Sequence, residues 1–170
     1  MNSSSFFVSL FNGLINNEVL IWALIACGSA QLSKIIFEFA LNGKFRLSIL
    51  LETGGMPSSH SALVSGMASG VGIKTGFDDP VFAIAATVAL VVMYDASGIR
   101  KSSGLIAERV NQLPLDSWKI PPDNPLKESL GHTKLQVLVG SILGPSIALP
   151  GIFFLGKPTH LFEILGLIAG

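Results

Sequence analysis

Long apolar stretches broken by short polar turns constrain this chain more than any motif in it. From about Glu18 to Leu41 the sequence is apolar enough to span a bilayer, interrupted only by Gln31, Lys34 and Glu38. As a helix that stretch reaches roughly 35 Å, enough to cross the hydrocarbon. A second stretch opens at Pro57-Ser58-Ser59-His60 and runs to about Lys74, a third runs from Val81 to about Met93, and a fourth from about His132 to Leu155. Composition agrees, with 49% hydrophobic and 13% charged residues against roughly 25% charged in an ordinary soluble domain. The mean hydropathy is +0.61. Such a chain cannot cover itself with polar surface in water, so lipid is the solvent for much of it. The predicted fold class is all-α: a polytopic membrane helical bundle of about four to five transmembrane helices with one polar loop near 101–125. At 170 residues the chain suits a single membrane domain over 1–170.

Within that domain, residues 1–17 form an interfacial lead-in, 18–155 the core helices and 156–170 an apolar tail too short to cross as a straight helix. Residues 42–56, with Gly43, Gly54 and Gly55, make a polar hairpin region. The second stretch is rich in Ala, Ser and Gly (Ala62, Ser65, Gly66, Ala68, Gly70), which let membrane helices approach closely. Pro80 is placed to begin the third helix. That helix continues through Tyr94-Asp95-Ala96-Ser97-Gly98-Ile99-Arg100 into an amphipathic extension, where Ile99, Ile106 and Val110 recur at roughly helical spacing. Pro114, Pro121, Pro122 and Pro125 mark a loop, and Asn124-Pro125 predicts the cap and first turn of a new helix. Pro145 and Pro150 predict a kink in the last span.

Composition also narrows the function. Net charge is zero and no basic tract lies outside the membrane loops, so no nucleic-acid partner is expected. The single cysteine, Cys27, rules out a disulfide framework and a cysteine-based metal site. No Lys or Arg precedes Lys34, so the basic n-region of a signal peptide is missing.

Alternating spans bring distant segments to one face. The second helix starts where the first ends, at His60; the third returns to that face at Tyr94–Arg100; the fourth starts there, at His132. His160 lies beyond the fourth span and belongs to the opposite face. Lys34, Lys44, Arg46, Arg100, Lys101, Arg109, Lys119, Lys127 and Lys134, nine of the eleven Lys and Arg, fall on the histidine face or its edge, leaving Lys74 and Lys157 on the other. By the positive-inside bias the histidine face is cytoplasmic. Helix N-termini and basic side chains together suit an anion such as phosphate. No carboxylate pair has two-metal spacing and no His-x-x-x-His or His/Cys cluster offers zinc ligands, so no metal or other cofactor is expected. Each element also has a structural reading: Ser58 and Ser59 as a helix cap, Asp95 and Arg100 as an ion pair, Lys34 and Glu38 as neighbours one turn apart.

Three blocks carry a resemblance. Gly54-Gly55-Met56-Pro57-Ser58-Ser59-His60-Ser61-Ala62, Met93-Tyr94-Asp95-Ala96-Ser97-Gly98-Ile99-Arg100 and Leu126-Lys127-Glu128-Ser129-Leu130-Gly131-His132-Thr133 together resemble the membrane family described as acid phosphatase/vanadium-dependent haloperoxidase-related, over about residues 20–155. That family is in turn similar to the type 2 phosphatidic acid phosphatases, metal-independent helical-bundle enzymes. The resemblance implies His132 as nucleophile, forming a phosphohistidine, and His60 as proton donor to the leaving group. Ser58, Ser59, Arg100, Lys127 and Lys34 would hold the phosphate. Where the related enzymes place an aspartate to orient the nucleophile, this chain has Gln136, and Asp95 or Glu128 are candidates for the missing charge.

The expected activity is metal-independent hydrolysis of a phosphomonoester or pyrophosphate on a membrane lipid. The alternative is a non-catalytic membrane protein that binds a phosphorylated lipid or a protein partner through a degenerate site. Small residues on the second helix leave room for a homo-oligomer, through which a third reading, a transporter, would need to work.

Overall fold

The computed structural model describes residues 2–43, 45, 47–51, 54–114 and 124–157. Among them every regular element is helical: α1 Ser3–Ile15, α2 Glu18–Asn42, a 3₁₀ turn Leu47–Leu51, α3 Ser59–Thr75, α4 Pro80–Ser97, α5 Ile99–Asn111 and α6 Lys134–Pro150, which passes into a π turn, Gly151–Leu155. The protein is an all-α membrane bundle. Three stretches are long and apolar enough to cross a bilayer, Glu18–Ala40, Pro80–Asn111 and Lys134–Leu155. Lys44, Arg46, Lys119, His160, most of the proline-rich loop and the 158–170 tail lie outside the described residues.

Local chemistry sets most helix starts. The Asn17 side chain accepts from Leu20 N at 3.0 Å and caps α2. Ser58 caps α3 by accepting from Ser61 N, and Asp79 caps α4 by accepting from Val81 N, with Pro80 at the first helical position as expected. The lead-in forms a helix of its own, α1, which leaves Phe6, Phe7, Leu10 and Phe11 exposed.

α3 packs on α2, α4 and α6. At 17 residues it is roughly 25 Å long, yet its two ends are tied to opposite ends of the bundle. Ser58 N donates to Gln136 O at 3.1 Å, and Lys74 pairs with Glu18 at the far end. Trp22 Nε1 reaches Gly156 O at 2.9 Å, fixing the end of α6 to the start of α2. Helix directions therefore alternate, and the starts of α3 and α6 meet the end of α4.

The tightest contact is the seam between α3 and α6. Gly140, Gly144 and Ala148 recur one turn apart on α6 and face Ser58, Ala62 and Gly66 of α3. A Cβ on Gly140 would lie 2.3 Å from Ser58 O, and one on Gly144 would lie 2.3 Å from Ala62 O. The two backbones touch, so nothing larger than hydrogen fits there.

Two local predictions differ from the structure. The third span does not run on as one helix into its amphipathic extension. Gly98 (φ −108°, ψ −86°) ends α4, and α5 starts afresh. Asn124-Pro125 does not open a helix either. Residues 124–133 form an irregular strap along α5, because the Asn111 side chain takes both backbone groups of Leu126, N and O, at 2.8 Å each. Those are groups a helical first turn would arrange otherwise. α6 begins instead at Lys134, under a capping box between Thr133 and Gln136. It runs through Pro145 and changes to the π turn directly after Pro150.

Gly144→Val should lower the thermal midpoint in detergent by the equivalent of at least about 1–3 kcal/mol, since its side chain would meet backbone that cannot move aside. Gly28→Ala, where an added Cβ meets nothing within 4 Å, should leave the midpoint unchanged or slightly raised. Equal effects of the two substitutions in a melting assay would contradict the backbone-contact seam.

Candidate functional site

His132 is delivered by the strap. Asn111 Nδ2 also donates to Glu128 Oε1 at 2.8 Å, and a Cβ on Gly104 would sit 2.6 Å from Glu128 O, so the strap lies directly on α5. Gly131 follows with φ +73°, a left-handed conformation suited to glycine, and a side chain there would strike Lys101 N at 2.4 Å. His132 N then donates to Ala96 O at 2.9 Å, at the end of α4. These contacts press the residue into the bundle until it is only 3% exposed.

The capping box brings an amide oxygen to the ring. Gln136 Oε1 accepts from Thr133 N at 2.9 Å, and that N–H can only donate, so the oxygen of the amide must point there. The same oxygen lies 3.3 Å from His132 Nδ1. That oxygen can accept a proton carried on Nδ1, the tautomer that leaves the lone pair on Nε2. Nε2 is buried and has no hydrogen-bond partner among the described residues. Buried polar atoms normally find partners, and this one faces none within the described residues.

His60 sits in the first turn of α3 and is exposed, and it lines the same cleft as His132, together with Arg100, Ala96 and Gly131. The cleft is small, about 50 Å³, and suits a compact group. Lys34, 1% exposed, stands close enough to act electrostatically on both rings, and Arg100 on His60. Burial pushes the His132 imidazole below the ordinary histidine value. Gln136 pulls it up, the Lys34 charge pushes it down, the Gly55 backbone pulls it up and the His60 charge pushes it down.

The remaining sequence candidates divide. Arg100 is the cation that lines the cleft; Lys127 is exposed on the strap and does not line it. Asp95 is engaged by Arg100, whose Nε donates to Asp95 Oδ2 at 2.5 Å, and it lies outside the cleft lining. Glu128 supplies no charge to His132, since its carboxylate bonds Asn111 and the Nδ1 partner is Gln136. Ser58 is buried as the α3 cap, its Oγ accepting from both the backbone and the hydroxyl of Ser61, and Ser59 is buried beside it. Thr133, Gly131 and Asn111 are the residues that sequence reasoning missed. Thr133 and Gln136 do carry the S/T-x-x-E/Q spacing of a capping box; Asn111 carries no local signal.

A helical membrane bundle that gathers two histidines, an arginine and a buried lysine at one end defines the class. The chain matches the model of the Divergent PAP2 family over residues 15–147, and it belongs to that family. It is 34% identical over 154 residues to the "uncharacterized membrane protein YuiD" of Bacillus subtilis (strain 168), covering 83% of this chain and 98% of that one. No solved structure matches it.

A histidine with a lowered pKa stays neutral to lower pH, and its contribution to folding is lost as pH falls below its unfolded value, roughly 6.5. In an NMR titration in detergent, His132 should therefore have its midpoint below about 6.5. Lys34→Met should move that midpoint upward by removing a neighbouring positive charge. A midpoint unmoved by Lys34→Met would place the ammonium too far away to matter.

Proposed function

We propose that the protein is a lipid-phosphate phosphatase that works through a phosphohistidine at the cytoplasmic membrane face. The observation that carries this reading is the buried, unpaired Nε2 of His132, on a ring whose other nitrogen is held as a donor by Gln136, in a cleft shared with His60 and Arg100. Family membership supports a phosphatase-related role. The His132 Nε2 lone pair attacks phosphorus, the phosphorus–oxygen bond to the lipid breaks, and His60 gives its proton to the departing oxygen. Water then attacks phosphorus as His60 takes its proton back, the nitrogen–phosphorus bond breaks, and inorganic phosphate leaves. Arg100 binds the phosphate oxygens, and Lys34, buried nearby and outside the cleft lining, adds positive charge. The lipid class of substrate follows from the setting, since a cleft at the end of membrane helices receives a headgroup while the tail stays in the bilayer. The cytoplasmic side rests on the bias of Lys and Arg toward that face.

Purified protein in detergent with chelator present should release phosphate from at least one of phosphatidic acid, phosphatidylglycerophosphate and polyprenyl pyrophosphate. His132→Ala should abolish release, and His60→Ala should reduce it by roughly 10²–10⁴-fold. Failure to turn over all three, with no effect of His132→Ala, would sink the enzyme reading.

The second reading is a non-catalytic binder of phosphorylated lipid, and Gln136 favours it, because a neutral amide cannot stabilise an imidazolium as a carboxylate does. Glutamate preserves the length of Gln136 and the capping box with Thr133. Gln136→Glu should therefore raise phosphate release from an enzyme, and raise the His132 titration midpoint in either case. Tighter lipid binding with no release in Gln136→Glu would favour the binder.

A further inference from the structure

We infer that Asp95 is a positioning residue for Arg100, aiming its guanidinium at an anion held between His60 and His132. The inference rests on the phosphate-site reading above and deepens it.

Gly98 interrupts the helix between the two residues, so Asp95 closes α4 and Arg100 opens α5. An arginine just past a helix break has a long, freely rotating stem, and half of its side chain is exposed. The Asp95 carboxylate holds Nε at 2.5 Å across that break. With Nε taken, the two terminal nitrogens form the edge left for another acceptor, and that edge belongs to a residue lining the cleft with both histidines. Asp95 itself stays outside the cleft lining, beside Tyr94 of α4 and Ile99 of α5.

Two effects of the carboxylate oppose each other. Its charge repels an anion, but it is partly exposed, where water and salt screen it. Its hydrogen bond removes rotational freedom that an unheld guanidinium would lose on binding. An exposed ion pair contributes little to folding, so its effect is expected in ligand binding and not in stability.

The test is binding of inorganic phosphate and orthovanadate to full-length protein in detergent, by calorimetry, with a melting curve for each variant. Asp95→Ala should weaken binding about 3–10-fold, the equivalent of one lost hydrogen bond, with an unchanged melting midpoint. Asp95→Asn keeps an acceptor for Nε without the charge, so it should bind at least as tightly as the natural protein. Tighter binding by both variants would make Asp95 a competitor for Arg100 and overturn the inference. So would equal binding by all three proteins, or equal weakening in Asn and Ala. If the natural protein binds neither anion, the phosphate-site reading falls and this inference with it. If it binds them and Asp95→Ala is without effect, only the role of Asp95 falls.

Discussion

The contact between the backbones of α3 and α6 sets the position of both histidines. Gly140 and Gly144 remove the side chains that would hold the helices apart, and Ser58, Ala62 and Gly66 do the same from the other side. In lipid no hydrophobic force pulls apolar helices together, so close packing and interhelical hydrogen bonds must do so. The seam provides the packing, and Ser58 N to Gln136 O provides a bond at its end. That bond joins the turn that bears His60 to the turn that holds the partner of His132. A shift of either helix along the seam would separate the two rings, so the geometry of the cleft is a property of the seam.

Electrostatics at the cleft oppose protonation of His132. Burial and the Lys34 charge lower its pKa, and a proton there would add positive charge in a buried place. Arg100, itself paired with Asp95, acts on His60. Gln136 meets the ring through the geometry of the capping box and adds no compensating charge.

Much of the bundle was legible in the sequence because membrane spans announce themselves locally. The first span, the Pro80 start of α4, the Ser58 cap and the meeting of His60, Arg100 and His132 all follow from apolar runs, cap residues and alternation of direction. Part of what escaped was set by contacts distant in sequence. Asn124-Pro125 carries a sound local signal for a helix, yet Asn111, which is thirteen positions before Asn124, supplies the hydrogen bonds that hold the following residues as a strap. Glu128 looked available for His132 for the same reason: nothing nearby in sequence shows that Asn111 occupies it. Gly98 was visible as a residue but not as a break, since the apolar periodicity continues through it. Arg100 and Lys127 could not be separated by charge, only by which one the fold turns toward the cleft.

The Asn111 clamp has a consequence for how this chain can vary. By pairing with both backbone groups of Leu126, it closes the connection between α5 and the strap at its base, upstream of everything that places His132. An amide offers a donor and an acceptor together, so aspartate at position 111 would lose the bond to Leu126 O and leucine would lose both bonds, and with them the base of the strap.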